Sequence, residues 1–407
     1  MRRDMTTGTI FLILLLGSFY TLIADTTLFI RFLIGLGFGF VLVRSSLGFA
    51  GSVNKLYRVK SANNATLLMY IFLLTSILTA FIIGGDESSY RLSIYPINLG
   101  LVVGGLMFGF GMAMSSCCAT GSLTDLASGF SRALVTIVFF GLGVFLGFYT
   151  QGHSSFVTTS LVSSPMGEQF QGGVFLPDLF YFDGFNGYLG ATALTAIFAL
   201  VVIKLATYYE KKFNHSTDER TYEVKNISFF ETVFVHTWKM WVSVIMLSSL
   251  FASLLWLSHK GWSASSALGI WFGKVLMLFG VEVQTLESFT GRGSELFVNS
   301  LFSHATSLQN MGIIFGSMLA LIFAGVFTKK FITGLKITPK GVATFAFGGL
   351  MMGLGTRLSN GCNVGALFTP IAEFSLSGWI YLIFVVIGGF AGNSFVKRFI
   401  SKSCSVI

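Results

Sequence analysis

The residues of this chain best suited to chemistry are its cysteines, Cys117, Cys118, Cys362 and Cys404. A neutral thiol is a small, soft, polarizable group with a weak S–H donor. As a thiolate it becomes a nucleophile and a ligand for soft metals. There is no CxxC, and the spacing does not resemble a framework of structural disulfides. Cys404 lies in a polar tail, whereas the other three stand where hydrophobic runs break, in SSCCATG (115–121) and SNGCNVG (359–365). The vicinal pair Cys117 and Cys118 has further options: a redox pair, a strained disulfide or a soft-metal site. The histidines, His153, His215, His236, His259 and His304, are scattered at loops or segment ends, none in HExxH, and no Walker lysine follows a Gly-rich loop. ATP-driven and metal-hydrolase chemistry therefore lack residues to carry them.

The elements that position these thiols are set by composition. Of 407 residues, 53% are hydrophobic and 11% charged, where a soluble domain carries about 25% charged residues. The solvent for most of the chain is lipid. Ten stretches are expected to span, each near the ~17 to 25 residues a membrane helix needs: 9–24, 28–43, 65–83, 97–115, 131–149, 187–208, 240–257, 309–327, 341–356 and 378–396. The first follows Arg2 and Arg3 but leads straight into another apolar run, which argues against a cleaved signal peptide. The net charge of +9 comes from Lys and Arg gathered in short loops, a positive-inside pattern and not a nucleic-acid stripe.

Those loops set a topology. Arg44, Lys55, Arg58 and Lys60, and then Lys329, Lys330, Lys336 and Lys340, stand without acids and should face the cytoplasm, together with the mixed-charge loop 209–239 and the tail bearing Lys397, Arg398 and Lys402. The segments 84–96 and 150–186 carry the acids and should face outward. Both termini are then cytoplasmic, the Cys118 loop is entered from the cytoplasm, and the Cys362 loop from outside. The stretch 262–281 has both ends outside, as a re-entrant hairpin would.

A shift of 244 positions lays GFGMAMSSCCATGSL (109–123) on GLGTRLSNGCNVGAL (353–367) without a gap, matching Gly109, Gly111, Ser115, Cys118, Gly121 and Leu123 to Gly353, Gly355, Ser359, Cys362, Gly365 and Leu367. Opposite entry with unbroken register implies an all-α polytopic protein of two inverted-topology repeats, with re-entrant Gly-Cys loops meeting near the bilayer midplane. The halves are 1–208 and 240–407, joined by the linker 209–239, with an external insertion at about 282–308. Inverted repeats place broken helices face to face, and half-helix N-termini there offer N–H groups to an anion. A weaker pair, RSSLGFAGSVNKL (44–56) and GWSASSALGIWFGKVL (261–276), aligns around Gly48 and Gly269. Most glycines in 35–40 and 102–111 read as close helix packing. Gly121, Gly361 and Gly365 read as functional, because non-helical backbone at membrane depth survives only where it is buried or lines a cavity.

At SNGCNVGALF (359–368), SLSGW (375–379), GWSASSALGIWFGK, RSSLGFAGSVNKL and SCCATGSL the chain resembles the YeeE/YedE family of sulfur-compound transporters. The resemblance implies an hourglass-shaped bacterial inner-membrane protein that takes up thiosulfate through a waist lined by cysteines. It also implies that some relatives handle selenium compounds, and that a small soluble sulfurtransferase-like protein works beside them in the cytoplasm. Cys118 and Cys362 match the family's Gly-Cys loops. Gly48 stands where many members have a cysteine, and Cys117 stands where the repeat partner has Gly361. Ser116, Asn360 and Asn363 offer donors beside the thiols or cap the broken helices. Arg357 either draws anions to the outer mouth or snorkels to headgroups. The expected activity is transport of a small sulfur anion, without enzyme chemistry or cofactor; the alternatives are selenium-compound uptake and a thiol oxidoreductase or sulfur-transfer protein using Cys117 and Cys118.

Overall fold

The computed structural model describes residues 2–23, 25–213 and 229–400. His215, Cys404, Lys402 and much of the expected linker lie outside the described residues. The fold is nearly all helix; among the described residues there is no strand, only the isolated bridges Arg91 with Lys260 and Phe175 with Ser375. The principal helices are α1 (Arg2–Leu22), α2 (Thr26–Arg44), α3 (Phe49–Arg58), α4 (Asn63–Ile83), α5 (Leu99–Ser115), α6 (Ala119–Asp125), α7 (Phe130–His153) and α8 (Tyr188–Phe213). After the undescribed stretch follow α9 (Met240–Ser258), α10 (Ser265–Leu278), α11 (Val283–Thr290), α12 (Ala305–Phe323), α13 (Pro339–Leu358) and α14 (Leu376–Phe395). A π-helical turn, Asn363–Phe368, precedes α14.

Local sequence sets where the long helices begin. Asp25 caps α2 by accepting from Thr27 N at 2.8 Å. Asn98 caps α5 by accepting from Leu101 N at 2.9 Å. Thr338 caps α13 with Pro339 in the first turn, where its missing N–H costs nothing. His304 caps α12 through Nδ1, which accepts from Ser307 N at 3.2 Å.

Nine helical stretches among the described residues are long and apolar enough to cross a membrane, making this a multi-pass membrane protein. The tenth expected span, α13, is a 20-residue helix but falls outside that set, because it carries Lys340, Arg357 and five glycines. It packs between α5 and α7. Only part of its surface meets protein: Gly348, Gly349, Gly353 and Gly355 are buried, whereas Phe347 is 47% exposed. The expected hairpin at 262–281 contains the 14-residue α10, which reaches about 21 Å at 1.5 Å per residue, short of the roughly 30 Å hydrocarbon core.

Cross-loop hydrogen bonds sort the connections into two ends. Arg91 N donates to His259 O at 2.8 Å, Leu161 N to Ile97 O at 2.8 Å and Leu176 N to Phe374 O at 2.8 Å, tying the acid-bearing loops together at one end. Ser131 N donates to Gly334 O at 3.0 Å and Trp238 N to Arg44 O at 2.9 Å, gathering the basic segments at the other. Between the ends, helix contacts come in exchanged pairs. α2 packs on α12 as α9 packs on α4, α5 on α14 as α13 on α7, and α3 on α14 as α10 on α7. The helices α5 and α13 meet each other.

That last contact is made backbone to backbone. A Cβ added at Gly104 would lie 2.6 Å from Gly355 O, and one at Gly355 would lie 2.7 Å from Gly104 O. Gly111 and Gly348 face each other in the same way, at 2.5 and 2.8 Å. The weaker alignment is corrected here. Gly48 is the N-cap of α3, but Gly269 lies inside α10, whose N-cap is Ala264. A Leu-Gly dipeptide is too common in this composition to fix register, whereas helix starts do. Gly269 is small because Val144 and Phe148 pack there: an added Cβ would sit 2.5 Å from Val144 Cγ1 and 2.8 Å from the Phe148 ring.

Two outcomes follow. Gly111→Leu should destabilise the protein by about 3 kcal/mol or more, the upper range for overpacking, because the opposing atom is backbone; a melting temperature within error of wild type in detergent would contradict this. Burial, then Lys260, Lys274 and Arg31, hold the His304 pKa down to about 4 from 6.5. The unfolded chain therefore takes up a proton at higher pH than the folded one, so the cap's contribution is full above pH 6.5 and is lost as pH falls towards 4. His304→Asn, a cap without a titration, should flatten the fall in melting temperature between pH 7 and 5.

Candidate functional site

Both cysteine loops are built from the same small set of hydrogen bonds. In the first, α5 ends at Ser115, Ser116 takes a left-handed φ of 58°, and Cys118 is extended (φ −102°, ψ −178°) as N-cap of α6. The Ser115 hydroxyl lies 2.9 Å from Gly111 O and 3.0 Å from Cys117 O, and Ser122 N donates to Cys118 O at 2.7 Å. In the second, α13 ends at Leu358, Asn360 takes a φ of 60°, and Cys362 is extended (φ −86°, ψ −172°) ahead of the π-helical turn. The Ser359 hydroxyl lies 2.8 Å from Gly355 O and 3.1 Å from Gly361 O, and Ala366 N donates to Cys362 O at 2.6 Å. Each serine hydroxyl, with a single proton to donate, lies between a carbonyl of the last helical turn and one of the loop.

The loops differ in what the thiols do. Cys118 Sγ accepts from Gly121 N at 3.4 Å and so acts as a helix cap, whereas Cys362 makes no side-chain cap. Cys117 Sγ lies 3.2 Å from Ser122 Oγ. All three thiols are free and buried, so the vicinal pair forms no disulfide here. Cys117 has no counterpart in the second loop because a Cβ at Gly361 would fall 2.5 Å from Gly365 C and 2.6 Å from Ala366 N. Gly365 is open: the nearest atom to a Cβ there is Ser263 Oγ at 4.0 Å.

Each loop touches a methionine of the other half. Ser115 Oγ is 3.8 Å from Met352 Sδ, and Asn363 Nδ2 is 3.5 Å from Met112 Sδ. Tyr381, on α14, is fully buried. The second loop also leaves two buried polar atoms without a hydrogen-bond partner, Asn363 Oδ1 and Arg357 Nε. Arg357 is 5% exposed and does not snorkel; its Nη2 donates to Ser265 Oγ at 3.0 Å.

A cavity of about 320 Å³ opens at the basic end. Gly48, Ser116, Cys117, Cys118 and Gly121 all line it, together with Asp125, Arg132 and Lys330. Arg132 pairs with Asp125 at 2.5 Å. None of Arg357, Asn360, Gly361, Cys362, Asn363 and Gly365 lines this cavity. A Cβ at Gly48 would meet nothing closer than Gly51 N at 3.6 Å.

Sequence reasoning missed Met112, Met352 and Tyr381, which read as ordinary apolar filling within helices. It also missed Asp125 and Arg132, whose seven-residue separation in an otherwise uncharged stretch was a usable signal.

The family described as sulphur transport matches residues 44–391. The thiosulfate transporter TsuA of Spirochaeta thermophila is 25% identical over 372 residues, covering 88% of this chain and 95% of that protein. The thiosulfate transporter TsuA of Escherichia coli is 22% identical over 357 residues, covering 86% and 89%. The probable transporter YedE of Escherichia coli is 28% identical over 167 residues, 40% of each chain. These relatives are transporters and not enzymes. With its match running through both cysteine loops and nearly all of the helical bundle, the chain belongs to the sulphur transport family.

Proposed function

We propose that this protein carries thiosulfate, or a closely related small sulfur anion, across the bacterial inner membrane towards the cytoplasm. The observation that carries this reading is the matched geometry of the Cys118 and Cys362 loops: same serine bonds, same left-handed residue, same extended cysteine. In this reading the two halves are inverted repeats, the basic end faces the cytoplasm with both termini, and the loops approach one another near the midplane. The 320 Å³ cavity is then the cytoplasmic vestibule, and its rim of Arg132 and Lys330 is where a soluble sulfurtransferase-like partner would receive the anion.

The chemistry follows from softness. The terminal sulfur of thiosulfate is polarizable, and a neutral S–H is a weak donor matched to it. Met112 and Met352 add polarizable surface without competing hydrogen bonds. Several modest contacts in series let an anion enter and leave, where one tight site would retain it. Thiosulfate as the substrate is supported by the names of the two TsuA relatives.

The test is radiolabelled thiosulfate uptake in cells lacking other thiosulfate importers. Serine is a good N-cap, so Cys118→Ser keeps the start of α6 while removing the soft donor. Cys118→Ser and Cys362→Ser should each lower uptake at least tenfold, equivalent to about 1.4 kcal/mol, with little change in melting temperature. Wild-type uptake rates in both variants would overturn the thiol role. Gly48→Cys should fold normally, since its φ of −132° suits any residue and the site has room. It should place a second thiol on the Cys118 cavity, seen as faster labelling by a membrane-permeant thiosulfonate reagent than in wild type.

A further inference from the structure

The segment between α10 and α12 contributes Arg292, which is linked to the Cys362 loop through Gln151 of α7. Arg292 Nη2 donates to Gln151 Oε1 at 3.0 Å, and Gln151 Nε2 donates to Asn360 Oδ1 at 2.6 Å. Asn360 is the left-handed residue two positions before Cys362. Three residues before Gln151 on α7, Phe148 receives two cations. The guanidinium carbon of Arg292 lies 4.9 Å from its ring centroid and that of Arg357 lies 5.1 Å away, both within cation–π range. The two carbons are thus separated by no more than the sum of those distances.

Three further features maintain this arrangement. Gly147 makes room for the Arg357 stem against α7, since an added Cβ would lie 2.6 Å from Arg357 Cγ. Gly269 seats the Phe148 ring from the other side. Ser265, the first residue of α10, takes one Arg357 donor, while Arg357 Nε is left buried and unpaired. Among the described residues neither arginine has a carboxylate in ion-pair distance. Two guanidinium groups share one ring, and one of them, only 5% exposed, has a buried N–H without a partner and no carboxylate beside it, an arrangement suited to an anion.

We infer that Arg292 and Arg357, held across Phe148, form an anion-capture site that prefers divalent to monovalent oxyanions and passes its ligand to the Cys362 loop. Attraction to two fixed cations scales with the ligand's charge, so a dianion gains twice what a monoanion does while both lose hydration. Guanidinium groups present planar pairs of N–H donors suited to tetrahedral oxyanions. Gln151 links the capturing arginine to the loop that bears the thiol. The role in delivery rests on the transport reading above; binding itself does not.

The test uses the purified full-length protein and measures melting temperature with sodium sulfate or thiosulfate against chloride or nitrate at matched ionic strength. Wild type should be stabilised more by the dianions. Arg292→Gln, and separately Phe148→Leu in case the first variant folds poorly, should lose that excess while keeping the response to chloride. In uptake assays Arg292→Gln should raise KM for thiosulfate about tenfold with kcat nearly unchanged, the signature of lost ground-state binding. Equal stabilisation by dianions and monoanions in wild type, or an unchanged dianion excess in both variants, overturns the capture site. A dianion excess that the variants abolish, without thiosulfate uptake by wild type, upholds the site and overturns the transport reading.

Discussion

Helix backbones approach closely only where neither carries a side chain at the crossing, and the contact of α5 with α13 meets that condition twice, at Gly104 with Gly355 and at Gly111 with Gly348. In lipid there is little hydrophobic drive between helices, so such van der Waals contact is a principal source of association. Each of these helices ends in a cysteine loop. Fixing their separation therefore fixes the relation between the loops, and the neighbours α7 and α14, each packed on one member of the pair, close around them.

The loops themselves show how irregular backbone persists among apolar helices. The Ser115 and Ser359 hydroxyls each lie within reach of two carbonyls, and the Cys118 thiol takes an amide at the start of α6. The thiol proposed to meet the substrate thus also holds its own helix start. That dual duty explains why a short hydroxyl or thiol, and not a bulky side chain, stands at each of these positions: the reach from Cβ to the backbone is one atom long.

Much of this is readable from residues alone, for a physical reason in each case. The register of 109–123 on 353–367 is legible because the left-handed backbone at Ser116 and Asn360 and the extended backbone at the cysteines both act over a few residues, so the pattern is local. The spanning helices are legible because lipid demands apolar length. α13 falls short of that rule because its five glycines, Lys340 and Arg357 lower its apolar character. The counterpart of Gly48 is not legible, because a helix start depends on chain entering from a distant segment, and Leu-Gly recurs by composition. Arg292 is invisible for a similar reason: its insertion carries Glu287 and Glu295 in sequence, yet its guanidinium meets Phe148 and Gln151, more than a hundred positions away. Tertiary proximity of that kind leaves no local trace.

The π-helical turn after Cys362 makes the two cysteine loops unequal. It presses the Gly365 backbone onto Gly361 and leaves that loop without the second thiol that Cys117 gives the first. An unequal path imposes unequal barriers on its two sides, but a passive path obeys microscopic reversibility, and barriers alone cannot accumulate a solute. Along the proposed path, the asymmetry of these loops would set how fast an anion equilibrates from either side, and the direction of net flow would belong to whatever consumes the anion afterwards.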